Sequence, residues 1–261
     1  MSEYRAGRLA AVRAQIAALV AGVRGEAGSL PFGDPRIDAR LPGGGLPLGR
    51  WHELVGEGME AETAAAPAAF AALLARPLAA RGAAVWVLRR DDLHAPGLAG
   101  LGFPHGRLIQ VRARDDDEAL AVMEEALASP GVAVVLGEAA AVSLTAGRRL
   151  QLACERGAAT GLVIRRSPYG GRGEAARGSA AAARWRVAAA PSEPAAGEPG
   201  LGPPRWRVEL EYCRGGRPGA WLFEAQGAYE EEEIDGTHPL RLVAELGDRQ
   251  LAPAQPRRAA G

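Results

Sequence analysis

Leu41-Pro42-Gly43-Gly44-Gly45-Leu46-Pro47-Leu48-Gly49 runs without a break into Arg50-Trp51-His52-Glu53-Leu54-Val55-Gly56. Three consecutive glycines and a Leu-Pro-x-Gly step carry no regular period, and the apolar run Trp51–Val55 behind them has the length of a buried strand. The same kind of run recurs at Ala84–Leu88, Leu108–Val111, Val132–Leu136 and Gly161–Ile164. Helical stretches separate them: an Ala-rich one at roughly 62–80, then 116–128 and 145–157. Strands apolar along their whole length have both faces covered, and strand–helix alternation is how a parallel sheet is covered. The fold class this predicts is α/β.

The last third changes character. After a Gly/Ser/Ala-rich stretch at 167–183 come Arg184-Trp185-Arg186-Val187 and a Pro/Glu/Gly linker at 191–204. Arg205-Trp206-Arg207-Val208-Glu209-Leu210-Glu211-Tyr212 then alternates with period two. Arg214-Gly215-Gly216-Arg217 turns it into Ala220-Trp221-Leu222-Phe223. That is a β-hairpin, expected to add antiparallel to the sheet edge with both tryptophans on the core. At the other end, Leu9, Val12, Ile16, Leu19, Val20 and Val23 share one helical face over 5–23, a helix able to pack on its own domain or on a partner. Residues 227–261 read as a tail: the acids Glu230 to Glu233 and Asp235, then Leu240, Leu242, Val243 and Leu246 in one short helix. The divisions are therefore 1–28 (helix and linker), 29–226 (core) and 227–261 (acidic tail).

The glycine segment resembles the entry to the RecA/RadA recombinase core. There, Gly-Gly-Gly-Leu-Pro-x-Gly leads into a first strand that ends in the phosphate-binding loop Gly-x-x-x-x-Gly-Lys-Thr. Phe32-Gly33-Asp34-Pro35-Arg36-Ile37-Asp38 fits the same family's upstream pattern. Gly56 and Thr63 stand where the loop's first Gly and its Thr belong, but the second Gly is Ala61 and the lysine is Glu62. A working loop meets phosphate with backbone N–H groups and a cation at a helix N-terminus. Here Glu57, Glu60 and Glu62 crowd that end. A unit charge ~4 Å from another is worth roughly 4 kcal/mol at an effective dielectric of ~20. Turning attraction into repulsion therefore removes several decades of affinity, at ~1.4 kcal/mol per decade. The other two stations of such a site also depart: Arg90 stands nearest the family's catalytic glutamate, and the metal-holding aspartate is shifted to Glu138.

Composition narrows the chemistry further. All 31 cationic side chains are arginine, so no Schiff-base, PLP-anchoring or P-loop lysine exists. Cys154 and Cys213, with four scattered histidines, make neither a disulfide framework nor a zinc set. No apolar run approaches the ~18–20 residues of a membrane span, and the first residues lack a signal-peptide pattern, which reads as cytoplasmic. No cofactor and no metal is expected. The formal net charge is zero, yet residues 147–217 hold thirteen Arg against six Glu. This is either a solvated face or a surface for an anionic partner.

From about 30 to 226 the chain resembles the ImuA family, RecA-like and SulA-related accessory proteins of SOS-induced translesion mutagenesis. Beyond the glycine segment the resemblance lies in Ala84-Val85-Trp86-Val87, in Leu93-His94-Ala95-Pro96-Gly97-Leu98-Ala99-Gly100-Leu101-Gly102 and in Arg107-Leu108-Ile109-Gln110-Val111. It continues through Glu124-Glu125-Ala126-Leu127, Leu144-Thr145-Ala146-Gly147-Arg148-Arg149-Leu150, Arg184-Trp185-Arg186-Val187 and the hairpin. It implies a RecA-like, mostly parallel sheet flanked by helices with a C-terminal antiparallel hairpin, and a non-catalytic scaffold in error-prone synthesis. The implied partners are a polymerase-like ImuB-type protein and an alternative replicative polymerase subunit, with RecA-like or self-association through the N-terminal helix. A SulA-like division inhibitor and a RecA-type DNA-binding ATPase are the alternatives. In RecA-like proteins a DNA-facing loop precedes the final strands, and 167–183 stands there. Arg148, Arg149, Arg172, Arg177, Arg184, Arg214 and Arg217 are accordingly the candidate contacts to a partner's acidic surface or, weakly, to DNA.

Overall fold

The glycine segment shapes a reversal. Gly43 and Gly44 take φ of 69° and 74°, and a Cβ on Gly45 would lie 2.4 Å from the Leu30 carbonyl oxygen. The turn brings Leu46–Pro47 (β2) back against Ser29–Leu30 (β1) as a two-residue antiparallel ribbon. The short helix Pro35–Asp38 (α1) between them is capped by Asp34, whose side chain accepts the Arg36 N–H. The computed structural model describes residues 28–59, 65–166, 179–194, 197, 199–226 and 238–246. The helix expected at 5–23 lies outside them.

Every apolar run becomes a strand. Trp51–Gly56 (β3) is followed by helix Ala65–Ala79 (α2), Ala83–Leu88 (β4), helix Ala95–Gly100 (α3) and Leu108–Arg112 (β5). Next come Asp116–Ala128 (α4), Val132–Ala139 (β6), Leu144–Gly157 (α5) and Thr160–Arg165 (β7). Ala183–Ala190 (β8), Arg205–Cys213 (β9), Gly219–Ala225 (β10) and Leu240–Glu245 (β11) complete one nine-stranded sheet. Its order is β11-β10-β9-β8-β3-β7-β6-β4-β5. From β8 to β5 every pairing is parallel, and from β8 to β11 every pairing is antiparallel. The mostly parallel α/β architecture expected from the sequence is the one observed.

Alternate residues of each strand serve two cores. On one face, α2 buries Phe70, Leu73, Leu74 and Leu78 against Leu54, Trp86, Trp185, Trp206, Trp221 and Phe223. On the other, α4 and α5 bury Met123, Leu127, Leu150 and Cys154 against Trp51, Val85, Val135 and Val163. The two helices start on side-chain caps: Asp115 accepts the Glu118 N–H at 2.8 Å and Ser143 accepts the Ala146 N–H at 3.2 Å. Among the described residues no helix is long and apolar enough to cross a membrane.

Two expectations change. The hairpin joins β8 through β9, as expected, but it does not end the sheet. Residues 240–245, read from sequence as a short helix, form β11 and pair with β10. Leu240 and Leu242 are buried beneath the same core as Phe223. The sheet therefore continues past the boundary set at 226. The apolar spacing of four leucine and valine positions fits either period, and the open edge of β10 selected the strand.

Close approach of α4 and α5 makes a test. A Cβ on Gly157 would fall 2.0 Å from the Leu127 carbonyl oxygen, a backbone atom. Gly157→Ala is expected to lose about 1–3 kcal/mol in urea unfolding, as overpacking does. Gly100→Ala, in a helix with open space around it, should instead be neutral or gain up to ~1 kcal/mol. Equal effects at the two sites would show that this helix contact is loose.

Candidate functional site

In a parallel sheet of this kind ligands bind at the carboxyl ends of the strands. The carboxyl end of β3 is where the altered loop begins. Gly56 closes the strand, and the chain stays paired one residue further: the Glu57 N–H donates to Val187 O of β8 at 3.2 Å. The Glu57 carboxylate is held by Arg207 of β9. A backbone donor at the loop entrance is thus spent on the sheet, and an arginine is spent on the loop's own acid. Ala61, Glu62 and Thr63 lie outside the described residues.

At the neighbouring strand ends, arginines of the chain already satisfy its acids. Glu138, at the metal-holding station on β6, is 1% exposed. One oxygen accepts the Arg89 N–H at 2.9 Å, and the other meets the Arg166 guanidinium at 2.6 Å. Arg166 also reaches Asp92 at 3.1 Å. Arg89, at the end of β4, pairs with Asp116 at the start of α4. The same Asp116 accepts the Ala140 N–H at 2.8 Å. Arg90, the position the resemblance sets nearest a catalytic glutamate, is exposed. One strand over, buried Glu53 of β3 accepts two bonds from Arg184 of β8, at 2.9 and 2.7 Å, and pairs with Arg165 of β7. Arg165 in turn donates to Ala140 O at 3.0 Å. These contacts tie β8, β3, β7, β6, β4 and α4 together, from mid-strand at Glu53 to the carboxyl ends at Arg89 and Glu138. Buried carboxylates of this kind are stable only when paired and hydrogen-bonded.

The candidate arginines are not one patch. Arg184 is removed from the set: its side chain is 7% exposed and committed to Glu53. It alternates with the core tryptophan Trp185, but its own face of β8 carries Glu53 alongside, so the cation went inward to the acid. Arg148 and Arg149 lie in the first half of α5, entered from the carboxyl end of β6. Both are exposed, and Arg149 meets Glu124 of α4 at 2.6 Å. Arg214 and Arg217 sit in the β9–β10 turn at the opposite end of the parallel strands, where Arg217 N–H donates to Arg40 O at 2.8 Å. Arg172 and Arg177 lie outside the described residues. Arg89, Arg165, Arg166 and Asp116, which carry the strand-end network, were not singled out in sequence. The signal available was a charge inside or at the end of an otherwise apolar strand: Glu53, Glu138 and the Arg165-Arg166 pair.

Other titratable groups are buried and quiet. Burial pushes the Cys154 thiol up to about 12 and the Cys213 thiol up to about 11, which leaves both protonated and unreactive. His52 donates Nε2–H to Pro47 O at 2.8 Å, and His238 stacks on Phe32 with ring centroids 4.4 Å apart. Among the described residues no cluster of three or more His, Cys, Asp or Glu is placed to hold a metal ion.

No protein-family model matches the chain. It is 57% identical over 241 residues to Protein ImuA of Caulobacter vibrioides strain NA1000 / CB15N, covering 90% of this chain and 97% of that protein. The values for Protein ImuA of strain ATCC 19089 / CIP 103742 / CB 15 are the same. Among solved structures, SulA from Pseudomonas aeruginosa overlaps 45% of this chain and 98% of its own length, with 23% identity and a TM-score of 0.39. With more than half of the residues shared along nearly the whole of both ImuA chains, the protein belongs to the ImuA family.

Proposed function

We propose that this protein is a non-catalytic docking subunit of damage-induced, error-prone translesion synthesis, binding polymerase-like partners without using nucleotide. Family membership supports the role in the mutagenesis system. The observation that carries the non-catalytic reading is the occupied carboxyl edge of the sheet. Glu138 has both oxygens engaged, by Arg89 N–H and Arg166. Arg89, Arg165 and Arg166 are each paired with acids of the chain at or near these strand ends, which supports a site that offers no free acid or cation to a phosphate and its metal. Binding a nucleotide there means breaking several charge-assisted bonds, each worth about 1.5–3 kcal/mol. The two alternatives fare differently: an ATPase would need a phosphate-binding lysine, which the sequence lacks, and among the described residues nothing favours a division inhibitor.

The test is calorimetric titration of the full chain with ATP and Mg²⁺, followed by the same titration with a purified ImuB-type polymerase-like protein. No ATP affinity tighter than about millimolar is expected, against partner binding that does not depend on nucleotide. Micromolar ATP binding, or partner binding that requires ATP, would overturn the reading. Glu62→Lys should not create hydrolysis, because it leaves Arg90, Glu138 and their surroundings unchanged. Contact of Arg148, Arg149, Arg214 or Arg217 with an acidic face of the partner or, weakly, with DNA, and association through residues 5–23, belong to the same proposal. They would show as salt-steep DNA binding and as weaker self-association on deleting residues 1–28.

A further inference from the structure

Helix α5 is sided in an unusual way. Gly147, Leu150, Ala153 and Cys154 face the core. At 100° per residue, Leu152 then points almost directly away from it, with Arg148, Thr145 and Arg156 alongside. Leu152 is 60% exposed and Leu144, two turns earlier, 52% exposed. They are two of six large hydrophobic residues left exposed among the described ones, and they share one helix. A single exposed leucine means little. Two on one helical line, about 12 Å apart with an arginine midway, form a surface that a second helix can cover.

The charges select the occupant. Arg148 and Arg156 lie around the leucines against a single acid on the helix, Glu155, while Arg149 beside them is paired with Glu124 of α4. Arg148 has no carboxylate partner among the described residues. A second copy of α5 laid on this face would bring arginines against arginines. The chain's own stretch 5–23, expected from sequence as a helix, carries Arg5, Arg8 and Arg13 and meets the same repulsion. An acidic amphipathic helix would bury both leucines and answer the arginines.

We infer that the outer face of α5, centred on Leu152 and Arg148, is the docking surface for an acidic amphipathic helix of the polymerase-like partner. This rests on the docking-subunit reading above. The test measures binding of the purified full-length chain to the purified ImuB-type protein by interferometry, at low and high salt. Leu152→Asp and Arg148→Glu should each weaken binding about tenfold, and together about a hundredfold. Arg148→Lys should retain most of the affinity, and wild-type affinity should fall with salt. Unfolding midpoints should not move, because both side chains point away from the core. If the wild type does not bind the partner, the docking-subunit reading itself fails. If it binds and the double variant binds within about twofold, the reading stands and this surface is wrong. If the substitutions dissociate a homo-oligomer in ultracentrifugation while partner affinity holds, the occupant is a second copy and the inference is overturned.

Discussion

Replacing Glu53 with alanine is expected to lower stability by about 3–5 kcal/mol, because it strands buried cations rather than merely deleting a contact. Arg184 and Arg165 converge on this carboxylate from the strands on either side, with side chains only 7% and 16% exposed. Neither can turn to solvent without disturbing β8 or β7. For a chain of this size the loss corresponds to a fall in melting temperature of roughly 6–20 °C. Glu53→Gln, which keeps an acceptor but not the charge, should fall between. Glu53→Leu with both Arg184→Leu and Arg165→Leu should recover much of the loss, since an apolar triad of similar size removes the unpaired charges instead of leaving them. A Glu53→Ala protein that melts within about 2 °C of the wild type would mean that water reaches these arginines freely.

Acid should weaken the fold before any surface carboxylate explains it. Burial pulls the His52 imidazole down to about 4 and the His238 imidazole down to about 3, from an ordinary 6.5. Both rings are therefore neutral when folded and take up a proton on unfolding. The unfolded state binds more protons over the window from about 6.5 down to about 3, so stability is full above 6.5 and declines as pH falls through that window. At pH 5 each histidine should cost about 2 kcal/mol relative to pH 7.5. Urea midpoints measured from pH 7.5 to 4.5 check this, with His52→Gln and His238→Phe as comparisons. Each variant should flatten the curve between pH 6.5 and 5 relative to the wild type. Identical slopes would show that the rings are protonated in the folded protein. His238 sits at the entry to β11, stacked on Phe32, so its protonation should loosen that edge strand first.

The five strands of residues 51–165 and three of the helices between them were legible to within a few residues, while the short helix Ala95–Gly100 was not expected. Those strands are apolar on both faces, and the helices between them begin on Asp115 and Ser143, which cap by their own short side chains. The hairpin was legible for a similar local reason: Gly215-Gly216 turns the chain, and Trp206, Val208 and Leu210 alternate with Arg205, Arg207, Glu209 and Glu211. β11 was not legible, because its leucines acquire a period only when an open strand edge lies beside them. Glu138 could be placed at a strand end from sequence, but its partners Arg89 and Arg166 are 49 and 28 residues away.

The chain's chemistry was determined by its sequence alone: no lysine, three glutamates within 57–62 after the first core strand, and a succession of apolar strands that only a covered parallel sheet can bury. Those properties are local or compositional, and no packing arrangement alters them. Which arginines remain available was decided only by the tertiary structure. Arg184 and Arg148 are indistinguishable as residues. Parallel pairing of β8 with β3 sets Arg184 beside Glu53, 131 positions earlier. The turn of α5 that buries Leu150 and Cys154 leaves Arg148 facing outward beside Leu152. Ion pairing across a sheet depends on strand order and register, and strand order is settled by how the whole core closes.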